Sequence, residues 1–460
     1  MRGLCVLCAA GLMGSAAWAS EAQSYSIDLK YDPASGEVTA KTDVALKPEP
    51  GAKTVTFYLH DELAIASVKI GGKPVPFDQT IVPYDYSYDT KASRVVVQTE
   101  GRDLSGGLAV AYKGRFSPSA ARSPSDYMRG DRDGLYLRSY AYSLWFPVFA
   151  EANSTFPAVD FPSVRITAPA DFHAVFIGEQ IARVEKNGLA TATWQAKSVG
   201  PYDAQLTLRR FAVKHSHGMT TYSLKDPASE AAADRILGYA DRLFAYYRTH
   251  YRQTAAERPL HMIEEPKYGD IAGGNMVGLN ETDWRTIQPD GEEMITLAHE
   301  LVHAFVQTPT AKTDPIFTFQ IEGFPSYFHL PALASVLGED WYAKRLDKIE
   351  KLYQERRSTG KMGGEKMPPE KPILAIGLDE LGIYKDVFVL NDRALLFWDY
   401  LRRKMPPAAF DALVRALTAS SDVTAKNFFA LIARHAPALQ SDAHRWLETT
   451  DYPNEFRRNF

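Results

Sequence analysis

The chain has 460 residues, with 45% hydrophobic residues, Lys+Arg 52 against Asp+Glu 56, and a net charge of −4. That length calls for two or three domains, and that apolar fraction excludes a mainly disordered chain. The charge balance offers no basic field for DNA or RNA, so no nucleic-acid partner is expected.

Residues 1–19 read as a signal peptide. Arg2 supplies a short positive region, Leu4 to Met13 an apolar stretch, and Ala17-Trp18-Ala19 a small-x-small cleavage site. Both cysteines, Cys5 and Cys8, fall inside it, so the mature chain would have neither disulfides nor thiolate ligands. No later apolar run is long enough to span a bilayer, so no stable membrane insertion is expected after cleavage. These features together predict a periplasmic or secreted protein.

From 20 to 213 the sequence alternates apolar and polar residues in short runs such as "SYSIDLKYD", "EVTAKTDVAL" and "SRVVVQTE". Such runs, broken by Gly, Pro, Asp or Asn, predict an all-β domain, a sandwich or open barrel. In "YDYSYD", Tyr84, Tyr86 and Tyr88 read either as a binding face or, more simply, as a strand edge or loop. Near His215 the pattern changes. "SEAAADRILGYADRLFAYYRTHY" is helical after the Asp226-Pro227 start signal, "PLHMIEEP" is a strand, and "YGDIAGGNMVGLN" is glycine-rich. A helix is expected from about Asp290 to Val306, another from about Gly338 to Arg357, and a solvated connection at 358–372. The expected organisation is an α+β domain over 214–403 and a short helical region over 404–460.

The chemistry concentrates in "TLAHELVHAFV", residues 296–306. On a helix, His299 and His303 lie one turn apart on one face, where two imidazoles can share a metal ion. Glu300, beside them, is placed to take a proton from water. Eighteen residues separate His303 from Glu322, and Pro325 sits well only in the first turn of a helix beginning near that glutamate. Two histidines and a glutamate leave a fourth position open, the pattern of a catalytic zinc site.

With HExxH, eighteen residues and then Glu322-Gly323-Phe324, the chain resembles the membrane alanyl aminopeptidase family of gluzincin zinc metallopeptidases. "SLWFPVFAE" (143–151) and "AGGNMVGLN" (272–280) extend the likeness, which covers about residues 24–403. The resemblance implies a thermolysin-like domain after the β-domain. It also implies zinc on His299, His303 and Glu322, Glu300 as general base, and peptide as substrate. It places substrate-binding residues at Gly273, Gly274 and Asn275. An oxyanion-stabilising tyrosine would be Tyr384, although aligning "ALLFWDYL" puts Val389 there instead.

Three departures from the family stand out. Asn275 occupies the position of the glutamate that binds the substrate's amino terminus, with Glu281 or Asp283 as conceivable substitutes. His329 replaces an acidic residue two turns beyond the zinc glutamate. The sequence ends 76 residues after Tyr384, which predicts an open cleft and a weaker demand for a free N-terminus. The functional readings are an aminopeptidase-like enzyme, an endopeptidase or other amide hydrolase, and a non-catalytic peptide-binding protein of the same fold.

Overall fold

A computed structural model describes residues 21–47, 51–85, 90–116, 128–137, 143–149, 158–200, 204–251, 259–265, 271–305, 314–362, 365–366, 369–377, 387–420 and 423–451. The expected signal peptide, Tyr86, Tyr88 and Tyr384 lie outside the described residues.

The strand pattern of the first half forms as its alternation dictates. In Glu37–Leu46 every second side chain, from Val38 to Leu46, points into the core while its neighbours face water. An eight-stranded sheet runs Glu179–Lys186, Leu189–Val199, Val159–Pro169, Ala22–Asp32, Glu37–Leu46, Leu108–Arg115, Leu63–Ile70, Lys73–Pro74. Its pairings are antiparallel except that of Ala22–Asp32 with Val159–Pro169. A three-stranded sheet (Thr54–His60, Thr90–Gln98, Phe77–Asp85) and a four-stranded one complete the unit. The latter runs His173–Phe176, Leu206–Arg209, Gly134–Leu137, Met128–Asp131.

All three sheets feed one core, which includes Ile27, Phe57, Leu135 and Val175. The "SLWFPVF" stretch belongs to it. The Phe146 ring lies 4.9 Å from that of Tyr25, and Trp145 Nε1 donates to Ala204 O at 3.2 Å. Tyr84 is core as well, buried against Tyr58.

The second unit opens with a five-stranded mixed sheet, ordered Phe211–Ser216, Met219–Leu224, Leu260–Glu265, Met276–Asn280, Ile271–Gly273. Phe211–Ser216 straddles the boundary expected at 213/214 and is this sheet's first strand. Nine helices among the described residues follow or interleave with it: α1 (Pro227–His250), α2 (Glu281–Thr286), α3 (Glu292–Phe305), α4 (Phe324–Leu337), α5 (Glu339–Thr359), α6 (Val387–Lys404), α7 (Pro407–Thr418), α8 (Ala425–His435) and α9 (Gln440–Glu448). Helix α1 starts where predicted, with the Asp226 carboxylate accepting from the Ala228 and Ser229 amides and Pro227 in the first turn.

Helix α4 is buried along most of its length and lies at the centre. Phe324 and Phe328 from it pack on Trp398 of α6, at 4.9 and 5.2 Å between ring centroids. Leu413, Phe428 and Trp446 from α7, α8 and α9 join the same core, so the C-terminal helices are built onto the second unit. No helix among the described residues is long and apolar enough to cross a membrane.

Candidate metal centre

Helix α3 carries two faces. Leu297, Ala298, Leu301 and Val302 are fully buried, whereas His299, Glu300 and His303 are partly exposed. The buried face is anchored: the Tyr247 hydroxyl donates to Ala298 O at 2.8 Å. At the N-terminus Glu292 accepts from Arg345 at 2.7 Å and Lys348 at 3.1 Å on α5. The first-turn acids Glu292 and Glu293 also suit the positive end of the helix dipole.

Glu322 arrives from a different element, a π-helical turn at Phe319–Gly323 that leads into α4. Such a turn adds a residue to the helical repeat and re-aims the side chain it carries. It is wedged tightly. Phe319 is fully buried, and a Cβ on Gly323 would lie 2.8 Å from both Ala394 Cβ and Phe319 Cδ2. Pro325 then falls in the first turn of α4, as its chemistry requires.

The result is a convergence of three donors. His299 Nε2 lies 3.2 Å from His303 Nε2 and 3.4 Å from a Glu322 oxygen. All three donor atoms are within 4.8 Å of one another, and they form the one such cluster among the described residues. Ligand atoms on a tetrahedral ion with zinc-like bond lengths sit about 3.3 Å apart, so the set fits zinc.

Protonation states fit too. Burial, with the neighbouring His299, pushes the His303 imidazole down to about 4 against the opposing pull of Glu322, so it is neutral near pH 7. Burial pushes the Glu322 carboxyl up, but its hydrogen bond with His299 and its electrostatic attraction to His303 and His299 outweigh that and hold it below the usual range. A neutral imidazole and a carboxylate are the ligand forms.

His329, the residue replacing an acid, is buried with its ring 5.7 Å from that of His299. Its Nδ1–H donates to Pro325 O at 2.7 Å, and burial pushes its pKa to about 3. The group packed against this ligand is therefore neutral.

Gly273 and Gly274 sit on a hairpin, Ile271–Gly273 and Met276–Asn280, that packs on α3 and closes the sheet edge. Gly274 takes a positive φ of 55° at its corner. Asn275 follows this corner. Its side chain is buried, Oδ1 accepts from Gly178 N–H at 2.7 Å, and Nδ2 donates to Gly178 O at 2.7 Å and Pro259 O at 2.5 Å. Its amide is used inside the protein. Glu281 is also engaged, by Arg209 at 3.2 Å, and Asp283 lies in the first turn of α2. Nothing local in the sequence marks this seam between the two units, because Gly178 lies 97 residues from Asn275.

No protein-family model matches the sequence, and no curated protein matches it either. Solved structures do. The M1 zinc metallopeptidase from Deinococcus radiodurans is 18% identical, with a TM-score of 0.66 over 95% of this chain and 96% of that one. A mutant of it bound to a Tyr-Ser-Ala substrate aligns with a TM-score of 0.64. Native yeast LTA4 hydrolase is 14% identical, with a TM-score of 0.67 over 96% of this chain and 69% of that one. The fold is that of the M1 zinc metallopeptidases, a β-rich domain followed by a mixed sheet and helices.

Proposed function

We propose that this chain is an exported zinc metallopeptidase, aminopeptidase-like in architecture and acting on peptides. The observation that carries the reading is the convergence of His299, His303 and Glu322, two from α3 and one from the π-helical turn, at zinc-ligand spacing. Zinc bound there would supply Lewis acidity toward a peptide carbonyl and a water molecule.

The chain's own residues do the rest. Glu300, one residue after His299 and partly exposed, takes the proton from water and returns it to the leaving amine. The edge strand Ile271–Gly273 has no further strand beside it among the described residues, so its outer backbone groups can pair with an extended peptide next to α3. Tyr384 is the tyrosine assigned to the oxyanion.

Replacing Glu300 with Gln tests the catalytic reading against a peptide-binding relic. The expected loss is about a thousandfold or more in kcat with zinc retained, as for removal of an essential base. Unchanged turnover would defeat the assignment.

A second reading, an endopeptidase or other amide hydrolase with relaxed need for a free N-terminus, is favoured by the engaged amide of Asn275. Kinetics on one peptide with a free and an acetylated N-terminus separate the two. Comparable kcat/KM values support the relaxed enzyme, and strict dependence on the free amine supports the aminopeptidase.

A further inference from the structure

We propose that Asn275 is a positioning residue that fixes the peptide-pairing edge of the catalytic sheet to the β-domain; this rests on the metallopeptidase reading above. The Asn275 amide binds both peptide groups of one residue, accepting from Gly178 N–H and donating to Gly178 O, each at 2.7 Å. Its second donor bond goes to Pro259 O at 2.5 Å. His261 completes the seam, donating its backbone N–H to Asn275 O at 2.8 Å and its Nε2–H to Gly178 O at 3.2 Å.

The partner position admits only glycine. Gly178 has a φ of 98°, and a Cβ there would sit 2.0 Å from Gln195 O. The turn between His173–Phe176 and Glu179–Lys186 thus presents bare backbone to the second unit, and Asn275 reads that backbone as a strand would.

The location gives this seam its consequence. Asn275 directly follows the Gly273-Gly274 corner, and the hairpin it belongs to lies against α3, which carries His299, Glu300 and His303. Shifting the hairpin moves the edge strand relative to the ligands. A one-ångström displacement of a peptide from its reactive geometry is enough to lower turnover efficiency strongly. The chemistry also demands an amide. A carboxylate at 275 would point an anion at the carbonyl oxygens of Gly178 and Pro259 with no proton to share, inside a buried seam. An acidic amine-binding residue therefore has no place at this position, and discrimination between free and blocked N-termini does not pass through it.

The test compares zinc-loaded wild type with Asn275→Ala and Asn275→Asp on one peptide with a free and an acetylated N-terminus. Expected are unchanged zinc content, KM raised about tenfold or more for both peptides, a larger effect for Asp than for Ala, and a constant free-to-acetylated ratio. A collapse of that ratio in the Ala variant would mean that Asn275 reads the amine. An unchanged KM would reduce it to a purely structural residue, and either result overturns the proposal. Hydrogen exchange on the wild type needs no variant to fold. The Gly178 amide is expected to exchange as slowly as the strands on either side of it, and free exchange overturns the clamp. A wild type that never cleaves peptide overturns the enzyme reading instead, and the exchange measurement then decides the clamp alone.

Discussion

His261 shows how one side chain ties the seam to pH. It is 3% exposed, edge-on to Trp194, and burial pushes its imidazole from 6.5 down to about 4. The unfolded chain binds a proton near 6.5 and the folded one does not until about 4, so between those values the unfolded state holds more protons. Stability is then full above 6.5 and is lost as the pH falls toward 4, by about 3 kcal/mol for this residue alone. His303 and His329 are depressed for the same reason and add to the slope. Urea denaturation at several pH values, on wild type and His261→Gln, isolates the share of His261: the variant should lose stability less steeply on acidification. Identical slopes would show that His261 titrates normally in the fold.

At the level of elements, the decisive piece is the short π-helical turn that aims Glu322. Because a Cβ at 323 would press on Ala394 and Phe319, Gly323→Ala forces the turn away from α6 and Glu322 with it. Zinc affinity, measured by competition with a chelator, should fall about tenfold or more. An unchanged affinity would mean that the turn does not set the ligand. The sequence announced the helices on either side of this turn but not the turn. "HELVH" read as helix 290–306 against the observed Glu292–Phe305, and Pro325 marked the start of α4. A single π turn has no periodicity of its own to leave in the pattern. The strand Glu179–Lys186 leaves no clear pattern in the sequence for a related reason. It lies at a sheet edge and buries no side chain, so its residues do not alternate. Leu189–Val199 does alternate, but Ala190, Ala192 and Ala196 are small and dilute the signal.

Across the whole molecule, two cores meet along polar contacts that join distant segments. Thr207 donates to the buried Glu265 at 3.0 Å, Arg209 pairs with Glu281, and Asn275 grips Gly178. None of these pairs has a local pattern, which is why the order of the two units was legible and their attachment was not. The last helices, from Pro407 onward, share the core of the second unit through Leu413, Phe428 and Trp446. The fully buried Arg393 of α6 binds Glu370 at 2.6 Å and also donates to the Thr449 and Asp451 carbonyls, closing the end of the described chain onto that core. The histidines were legible because spacing on a helix is local information, and Glu322 because its eighteen-residue separation from His303 and its Glu-Gly-Phe setting match a family pattern.

His299 and His303 of α3 and Glu322 of the π-helical turn are spaced to hold one zinc ion. Anomalous diffraction at the zinc edge from crystals of the zinc-loaded protein tests it directly. A peak is expected within about 2 Å of His299 Nε2, His303 Nε2 and a Glu322 oxygen. A zinc-replete crystal with no peak there, or with its zinc bound at another place, would contradict it.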